Sequence, residues 1–317
     1  MKNRSTLTNL AEFIQSASEV LDEGDQLDVV YLDIAKAFDL VPHQLLLRKC
    51  QKYGLSDDVC KLIKSYLSNR AYQVTLNGRS SRRVFPGSGV GQGSVLGPKL
   101  FLLHFNDLLA ELRCDGWCFA DDLRNAKIIR SLEDLQLLQA DIDTISKWCE
   151  VNGHELAVGK SLAMSITRKK QPLMAHYTVN GFEVKKTCVA RDLGIMIDSN
   201  LRFDAQVDAV VKKAARLMGF VMRCVKNFHL LEPILALFNQ IVRPVLEYCT
   251  PAWNPSYSTY IDRIEAIQHS FTRFIYKEFR FLYFILWPLF NNHFDKFALK
   301  CVLQINLNSV VSRHFCF

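Results

Sequence analysis

Apolar residues recur at helical spacing through the first twenty positions and give way to strand-like runs soon afterwards. Leu7, Leu10, Phe13 and Ile14, then Ala17, Val20 and Leu21, share one face of a helix predicted over residues 5–22. An acidic turn, Asp22 to Asp25 with Gly24, leads into a strand, Leu27 to Leu32, that ends on Asp33. Pro42 and His43 open a second helix, in which Leu45, Leu46 and Cys50 repeat at helical intervals until Gly54 stops it. Tyr72 to Leu76 alternates like a strand, Asn77-Gly78 is a hairpin turn signal, and the returning strand runs through Val84. A glycine-rich passage, Gly87 to Gly97, precedes a helix from about Pro98 to Leu112. Trp117 to Ala120 is a short apolar strand that meets Asp121 and Asp122. Ser131-Leu-Glu-Asp134 forms a capping box for a helix that continues to about Cys149.

This order of strand, helices, strand pair, helix, strand-turn-strand and helix is an α+β pattern. From about residue 200 the periodicity is almost wholly helical, which places a domain boundary near 198. The chain has 317 residues, 49% of them hydrophobic and 22% charged, a globular balance with room for two cores. Its net charge of +7 suits a polyanionic partner without specifying one. Ten cysteines show no repeated spacing, and Cys114 with Cys118 lacks the second pair that a zinc site requires. The opening MKNRSTLTNL is polar, and the apolar run Phe281 to Phe290 falls short of the roughly 20 residues that span a bilayer. These features predict an intracellular, soluble protein with no membrane partner.

The sharpest chemistry is Phe119-Ala120-Asp121-Asp122. Adjacent aspartates leaving a strand point opposite ways unless a tight turn brings both sets of oxygens to one place. Gathered carboxylates repel and raise one another's pKa, a cost that a hard divalent cation removes. Taken alone, the pair reads first as a solvated turn. Asp33, at the end of another apolar strand, changes that balance. Three aspartates from two strand ends suit two metal ions about 4 Å apart, the geometry that activates a hydroxyl and stabilises a departing pyrophosphate.

Here the chain resembles the reverse transcriptases of retrotransposons that lack long terminal repeats. LDIAKAFDLVPHQLL is similar to the family's first palm motif, SGVGQGSVLGPKLF to the second, and FADD is the third. They come in family order. WCEVNGHELAVGKSLAMSITR, RDLGIMIDSNLRFDAQV, IVRPVLEYCTPAW and RIEAIQHSFTRFIY resemble successive stretches downstream, so the likeness covers residues 5–277.

The resemblance implies a polymerase palm, an antiparallel sheet with packed helices, with partial fingers over residues 1–198. A mostly helical thumb over 199–277 would come next, and then a divergent hydrophobic tail over 278–317. It implies an RNA-directed DNA polymerase that extends a primer 3′-hydroxyl by two-metal nucleotidyl transfer. RNA template, DNA primer and deoxynucleoside triphosphates would be its partners, and two Mg²⁺ ions its cofactors, with Mn²⁺ as an alternative; no obligate protein partner is implied. Asp33, Asp121 and Asp122 would bind metal, and Lys160 would neutralise or protonate the leaving pyrophosphate. Phe38 would sit under the incoming sugar and exclude a 2′-hydroxyl, although simple core packing also accounts for it. Gln92 and Gly93 would face the nascent base pair. Gly91 stands where the family usually has Pro, which predicts a looser loop. Arg82 and Arg83, in the hairpin return, read as phosphate contacts or as solvated charges.

In the thumb, Lys212, Arg216, Arg223 and Lys226 fall within one arc of a helix, opposite Val210, Val211, Leu217 and Val221. A basic stripe of that pitch suits a phosphate backbone, and equally a solvated face. The family's fingers precede the helix with which this sequence starts, and no segment resembles an endonuclease or a ribonuclease H. The alternative expectation is therefore an inactive retrotransposon remnant that at most binds nucleic acid.

Overall fold

The structure is a computed structural model that describes residues 5–226, 228 and 230–278. Helix α1 (Thr6–Asp22) buries Leu10, Phe13, Ala17, Val20 and Leu21, the face expected from its periodicity. Strand β1 (Gln26–Asp33) comes next, then α2 (His43–Lys52) and α3 (Asp57–Leu67), whose Cys60, Ile63 and Leu67 form a buried face. Short strands β2 (Thr75–Leu76) and β3 (Arg79–Ser80) enclose Asn77-Gly78. Both turn residues have positive φ, 50° and 76°, as a type I′ hairpin requires.

Helix α4 (Leu96–Phe105) is shorter than its sequence suggested. Past Phe105 the backbone stays helical but tightens, the Leu108 N–H donating to the Phe105 carbonyl at 3.1 Å, while the Asp107 carboxylate accepts from Lys49 at 2.8 Å and from the Trp148 indole at 3.2 Å. A 3₁₀ turn, Leu109–Glu111, leads to β4 (Asp115–Phe119) and β5 (Asp122–Ile128). Helix α5 (Leu132–Val151) carries the reciprocal Ser131–Asp134 capping box. Its buried Asp141 accepts from the backbone N–H groups of Arg113 and Cys114 and so fixes where β4 begins. Strand β6 (Leu162–Thr167) and three two-residue strands, β7 (Thr178–Val179), β8 (Phe182–Glu183) and β9 (Lys185–Lys186), complete this part.

The main sheet has the order β4-β5-β1-β6-β9, antiparallel except for the β6–β9 edge. Its centre is β1, nearly continuous in apolar residues because neighbours flank it on both sides and both its faces are covered. Val30, Leu32, Leu123 and Ala163 from the sheet share one core with Leu46, Phe101, Phe105, Leu138, Ile142 and Ile145 from the helices.

Two compact units emerge: Ala17–Cys188, and the residues before Ala17 grouped with those from Val189 onward. The division lies ten residues before the boundary expected at 198. Its cause is a hairpin, β10 (Val189–Asp192) with β11 (Ile195–Asp198), that joins the helical residues after it. The Met196 N–H donates to Gln206 in α6 (Asp204–Cys224), and Asp198 accepts from the N–H groups of Asn200, Arg202 and Phe203 just before that helix. Helices α7 (Leu231–Leu237), α8 (Arg243–Glu247), α9 (Thr250–Trp253) and α10 (Ser258–Glu278) make the remainder helical. A π-helical turn, Phe238–Val242, joins α7 to α8, and Phe238 stacks on Phe271 at 4.0 Å. Apart from the backbone of Glu278, the expected tail lies outside the described residues. No described helix is long and apolar enough to cross a membrane.

Candidate active site

Strand β1 carries Asp33 at its last position, where the register sets it opposite Asp122, the first residue of β5. Facing Cα atoms in an antiparallel pair lie about 4.5–5.5 Å apart. Phe119 also faces Asp122, so only Ala120 and Asp121 form the loop between β4 and β5. Ala120 has φ of 55° while Asp121 keeps negative φ, the sign pattern of a type II′ hairpin turn. A left-handed alanine costs about 1–2 kcal/mol. The turn is thus held against a local preference, and it delivers Asp121 and Asp122 together to the end of β1.

A second segment closes on the same strand end. The Ala35 N–H donates to Glu155, and the Ala157 N–H donates to the Asp33 carbonyl, both at 2.8 Å. The one-turn 3₁₀ helix Val158–Lys160 comes directly after. From it the Lys160 ammonium donates to Asp33 Oδ2 at 2.9 Å. Lys160, to which the resemblance gives a part at the leaving pyrophosphate, has an exposed side chain that is tied to the carboxylate cluster.

The four groups behave as one electrostatic unit. Burial raises the Asp122 carboxyl above the usual range, and Asp121 and Asp33 push it the same way, against Arg124 and Lys160. The hydrogen bond and charge of Asp33 raise Lys160, with smaller contributions from Asp121 and Asp122. Negative charge therefore remains in excess although Lys160 already sits on one oxygen, and an oxygen-only donor set of this kind suits a hard divalent cation. Among the described residues no three His, Cys, Asp or Glu side chains are gathered closely enough to hold an ion as they stand.

The glycine-rich segment packs on the turn after Asp33. Val90 N–H donates to the Phe38 carbonyl and Gly89 N–H to that of Val41, both at 2.8 Å. The Gln92 amide reaches Asp39 Oδ1 at 3.1 Å, and His43 Nε2 meets the Gly89 carbonyl at 2.8 Å. Gly89 has φ of +91°, and a Cβ there would lie 2.7 Å from the Asp39 carbonyl oxygen, so only glycine fits. Phe38 is half-buried and stacks on Phe101 at 4.2 Å, with the planes 10° apart. It therefore has the core contact that its sequence also allowed, at the edge of the surface that carries Gln92 and Gly93, both exposed.

Gly91 does not loosen this loop. It is buried, Ser94 Oγ donates to its carbonyl at 2.7 Å, and a Cβ on it would press on Arg70 and Tyr66. A larger residue there would have to displace the tips of those two side chains. Sequence reasoning also missed Asp39 and His43 as the residues that fasten the loop. Both stand inside LDIAKAFDLVPHQLL, but their partners lie some fifty residues away.

In the other unit, Lys212, Arg216, Arg223 and Lys226 are all exposed along and just beyond α6. The buried face opposite them consists of Val207, Val210, Ala214, Met218 and Val221, whereas the expected Val211 and Leu217 are only half-buried. Cys114 precedes β4 and Cys118 lies within it, and burial pushes both thiols up to about 12, which leaves them poor metal ligands.

The reverse transcriptase (RNA-dependent DNA polymerase) family matches residues 2–220. Over 282 residues the chain is 27% identical to an RNA-directed DNA polymerase from mobile element jockey of Drosophila funebris, covering 84% of this chain and 30% of that relative. Over 297 residues it is 25% identical to a probable RNA-directed DNA polymerase from transposon BS of Drosophila melanogaster, covering 86% and 32%. It thus spans about a third of the length of these curated relatives. Among solved structures, apo telomerase from Candida tropicalis aligns with a TM-score of 0.46 at 12% identity, over 97% of this chain and 55% of that one. The chain belongs to the reverse transcriptase family, in the branch carried by retrotransposons without long terminal repeats.

Proposed function

We propose that this chain carries the nucleotidyl-transfer centre of an RNA-directed DNA polymerase, which joins a deoxynucleoside triphosphate to a primer 3′-hydroxyl on an RNA template. The observation that carries the reading is the antiparallel register that sets Asp33 against Asp122 with Asp121 in the intervening turn. In this reading Ala17–Cys188 acts as the palm and the helical unit as the thumb.

Asp33, Asp121 and Asp122 would hold the divalent cations, Mg²⁺ by the hardness of the oxygen donors. Bound there, the ions would lower the pKa of the attacking hydroxyl and stabilise charge on the departing pyrophosphate. The protein's own part is positional. The β4–β5 turn presents two carboxylates, and β1 presents the third. Lys160, held on Asp33, is placed to neutralise a phosphate oxygen once that carboxylate turns to a cation. The Phe38–Phe101 stack would give the incoming sugar a rigid floor, and Asp39 would hold the Gln92 amide towards the base pair. The exposed Lys212, Arg216, Arg223 and Lys226 would track the duplex backbone, each adding salt-sensitive affinity.

Primer extension on an RNA template, with dNTPs and Mg²⁺, tests the reading. Extension should be lost in Asp121→Asn and Asp33→Asn while RNA–DNA duplex binding persists. Binding without extension by the unaltered chain, or extension that survives both substitutions, would reject it.

A further inference from the structure

The ribbon formed by β2 and β3 differs from the β7–β8 hairpin, whose Val179 is buried. Tyr72 pairs with Val84 beyond the two short strands, and the N–H of Ser81 donates to the Val74 carbonyl, so the paired arm reaches well past its named strands. Yet every residue from Ala71 to Phe85 is exposed. A lone two-stranded hairpin is marginal in water, and apolar side chains on one are a liability unless something covers them. Val74, Leu76 and Phe85 are 72%, 71% and 69% exposed, and Tyr72 is 51% exposed.

The charges indicate what the covering partner is. From Asn69 to Phe85 there are four arginines, Arg70, Arg79, Arg82 and Arg83, and no Asp or Glu. No ion pair among the described residues engages Arg79, Arg82 or Arg83. Arg70 lies over the rings of Tyr66 and Tyr72, 5.5 and 5.6 Å from their centroids. The strand pairs sum to 155 at Thr75–Ser80 but to 156 at Tyr72–Val84, so one extra residue bulges the return strand at Arg82-Arg83. A bulge twists the ribbon and re-aims the side chains beside it. Uncompensated guanidinium groups interleaved with exposed rings match a single-stranded nucleic acid, whose phosphates take the charges and whose bases stack on the aromatics.

We propose that the hairpin arm Arg70–Phe85 is a binding site for single-stranded nucleic acid, made of residues other than those of the carboxylate site. The proposal goes beyond the polymerase reading, because binding here needs no metal, no nucleotide and no synthesis.

The test uses the full chain and a fluorescein-labelled, unstructured single-stranded RNA of about 20 nucleotides, with fluorescence anisotropy read across a salt series. Arg79→Ala/Arg82→Ala/Arg83→Ala should weaken binding at least tenfold at 100 mM salt. It should also flatten the slope of log K against log salt by about 2, since each lost phosphate contact on a single strand removes about 0.7. Tyr72→Ala/Phe85→Ala should weaken binding about tenfold with the salt slope unchanged, the signature of lost stacking. Arg79→Lys/Arg82→Lys/Arg83→Lys should restore most of the slope and guards against a folding artefact, as do unchanged circular dichroism and Tm. Binding is read without metal or dNTP, so a failed polymerase reading leaves this result intact. Unchanged affinity and slope in the triple alanine variant would overturn the proposal. So would loss of self-association in place of RNA binding, which would assign the arm to a protein partner.

Discussion

Acid should destabilise the Ala17–Cys188 unit through two imidazoles buried where a proton is poorly tolerated. His104 on α4 and His154 just after α5 meet Nε2 to Nε2 at 3.0 Å. One ring must donate and the other accept, so protonating both breaks the contact. Both are buried, Phe105 and Trp148 pack on them, and the Trp148 plane lies 5° from that of His154. Lys49 adds a cation close by: its ammonium donates to the His104 carbonyl at 2.6 Å and sits 4.6 Å from the Trp148 ring centroid. Burial pushes His104 down to about 3, and Lys49 and His154 press the same way. Burial and then Lys49 take His154 down to about 4.

In the unfolded chain both rings titrate near 6.5. The folded values lie below this, so between them the unfolded chain binds more protons and stability falls as pH drops. Stability from the pair is complete above about pH 6.5 and is lost progressively towards pH 4 and 3. At pH 5 each ring is about 1.5 units below its unfolded pKa, worth about 2 kcal/mol, so the pair removes roughly 4 kcal/mol. That is a large share of the 5–15 kcal/mol typical of a folded domain. Urea unfolding at pH 7 and pH 5, monitored by tryptophan fluorescence, measures the loss. His104→Phe/His154→Phe keeps two planar rings and removes both titrations, and its loss between the two pH values should be smaller by about that amount. Carboxylate titrations elsewhere cancel in the comparison. An equal loss in both proteins would clear the imidazole pair of any part in the acid sensitivity.

Ala120→Gly should raise stability by up to about 1 kcal/mol in the same melts, since glycine adopts the positive φ of 55° without strain. Gly97→Ala should cost about 1–3 kcal/mol and disorder the Gly89–Gly93 loop, because its Cβ would fall inside the Gly91 carbonyl oxygen. Tyr177→Phe should cost about 1–3 kcal/mol, measured as a shift in urea midpoint, because it strips a 2.7 Å hydrogen bond from buried Asp28. Asp39→Ala releases Gln92. Under the proposed function it should raise KM for dNTP more than it lowers kcat in steady-state primer extension.

Elements built on local pattern were legible in the sequence: the amphipathic face of α1, the apolar run of β1, the Asn77-Gly78 turn and the Ser131 cap each depend on neighbours within a few residues. What escaped depended on distant partners. The Asp107 carboxylate just past α4 is held by Lys49 and Trp148, a contact that no spacing rule reveals. Gly91 looked permissive and is in fact crowded, by Tyr66 and Arg70 from the end of α3 and just beyond it. The β10–β11 hairpin was invisible as a member of the helical unit because Gln206 and Asp198 attach it through backbone hydrogen bonds. At the candidate site, Asp33, Asp121 and Asp122 were legible as strand-end carboxylates, whereas the Lys160–Asp33 contact needed the fold.

Strand β1 itself shows how a structural carboxylate differs from one available for chemistry. Asp28 lies within the strand and is 1% exposed. Gln26 donates to one of its oxygens at 2.9 Å and Tyr177 to the other at 2.7 Å, so its charge is met by two fixed hydrogen bonds. Asp33, five residues along, holds a single ammonium on one oxygen and faces Asp122, whose proton affinity is raised by burial and then by its acidic neighbours. Folding stability would favour the first arrangement at both places, because repulsion among three carboxylates costs the fold energy that a hydrogen-bonded aspartate does not. A strained alanine turn and an acidic cluster that Lys160 neutralises only in part make stability the weaker constraint at that strand end. That excess of charge is what a cation-dependent reaction on phosphates would use.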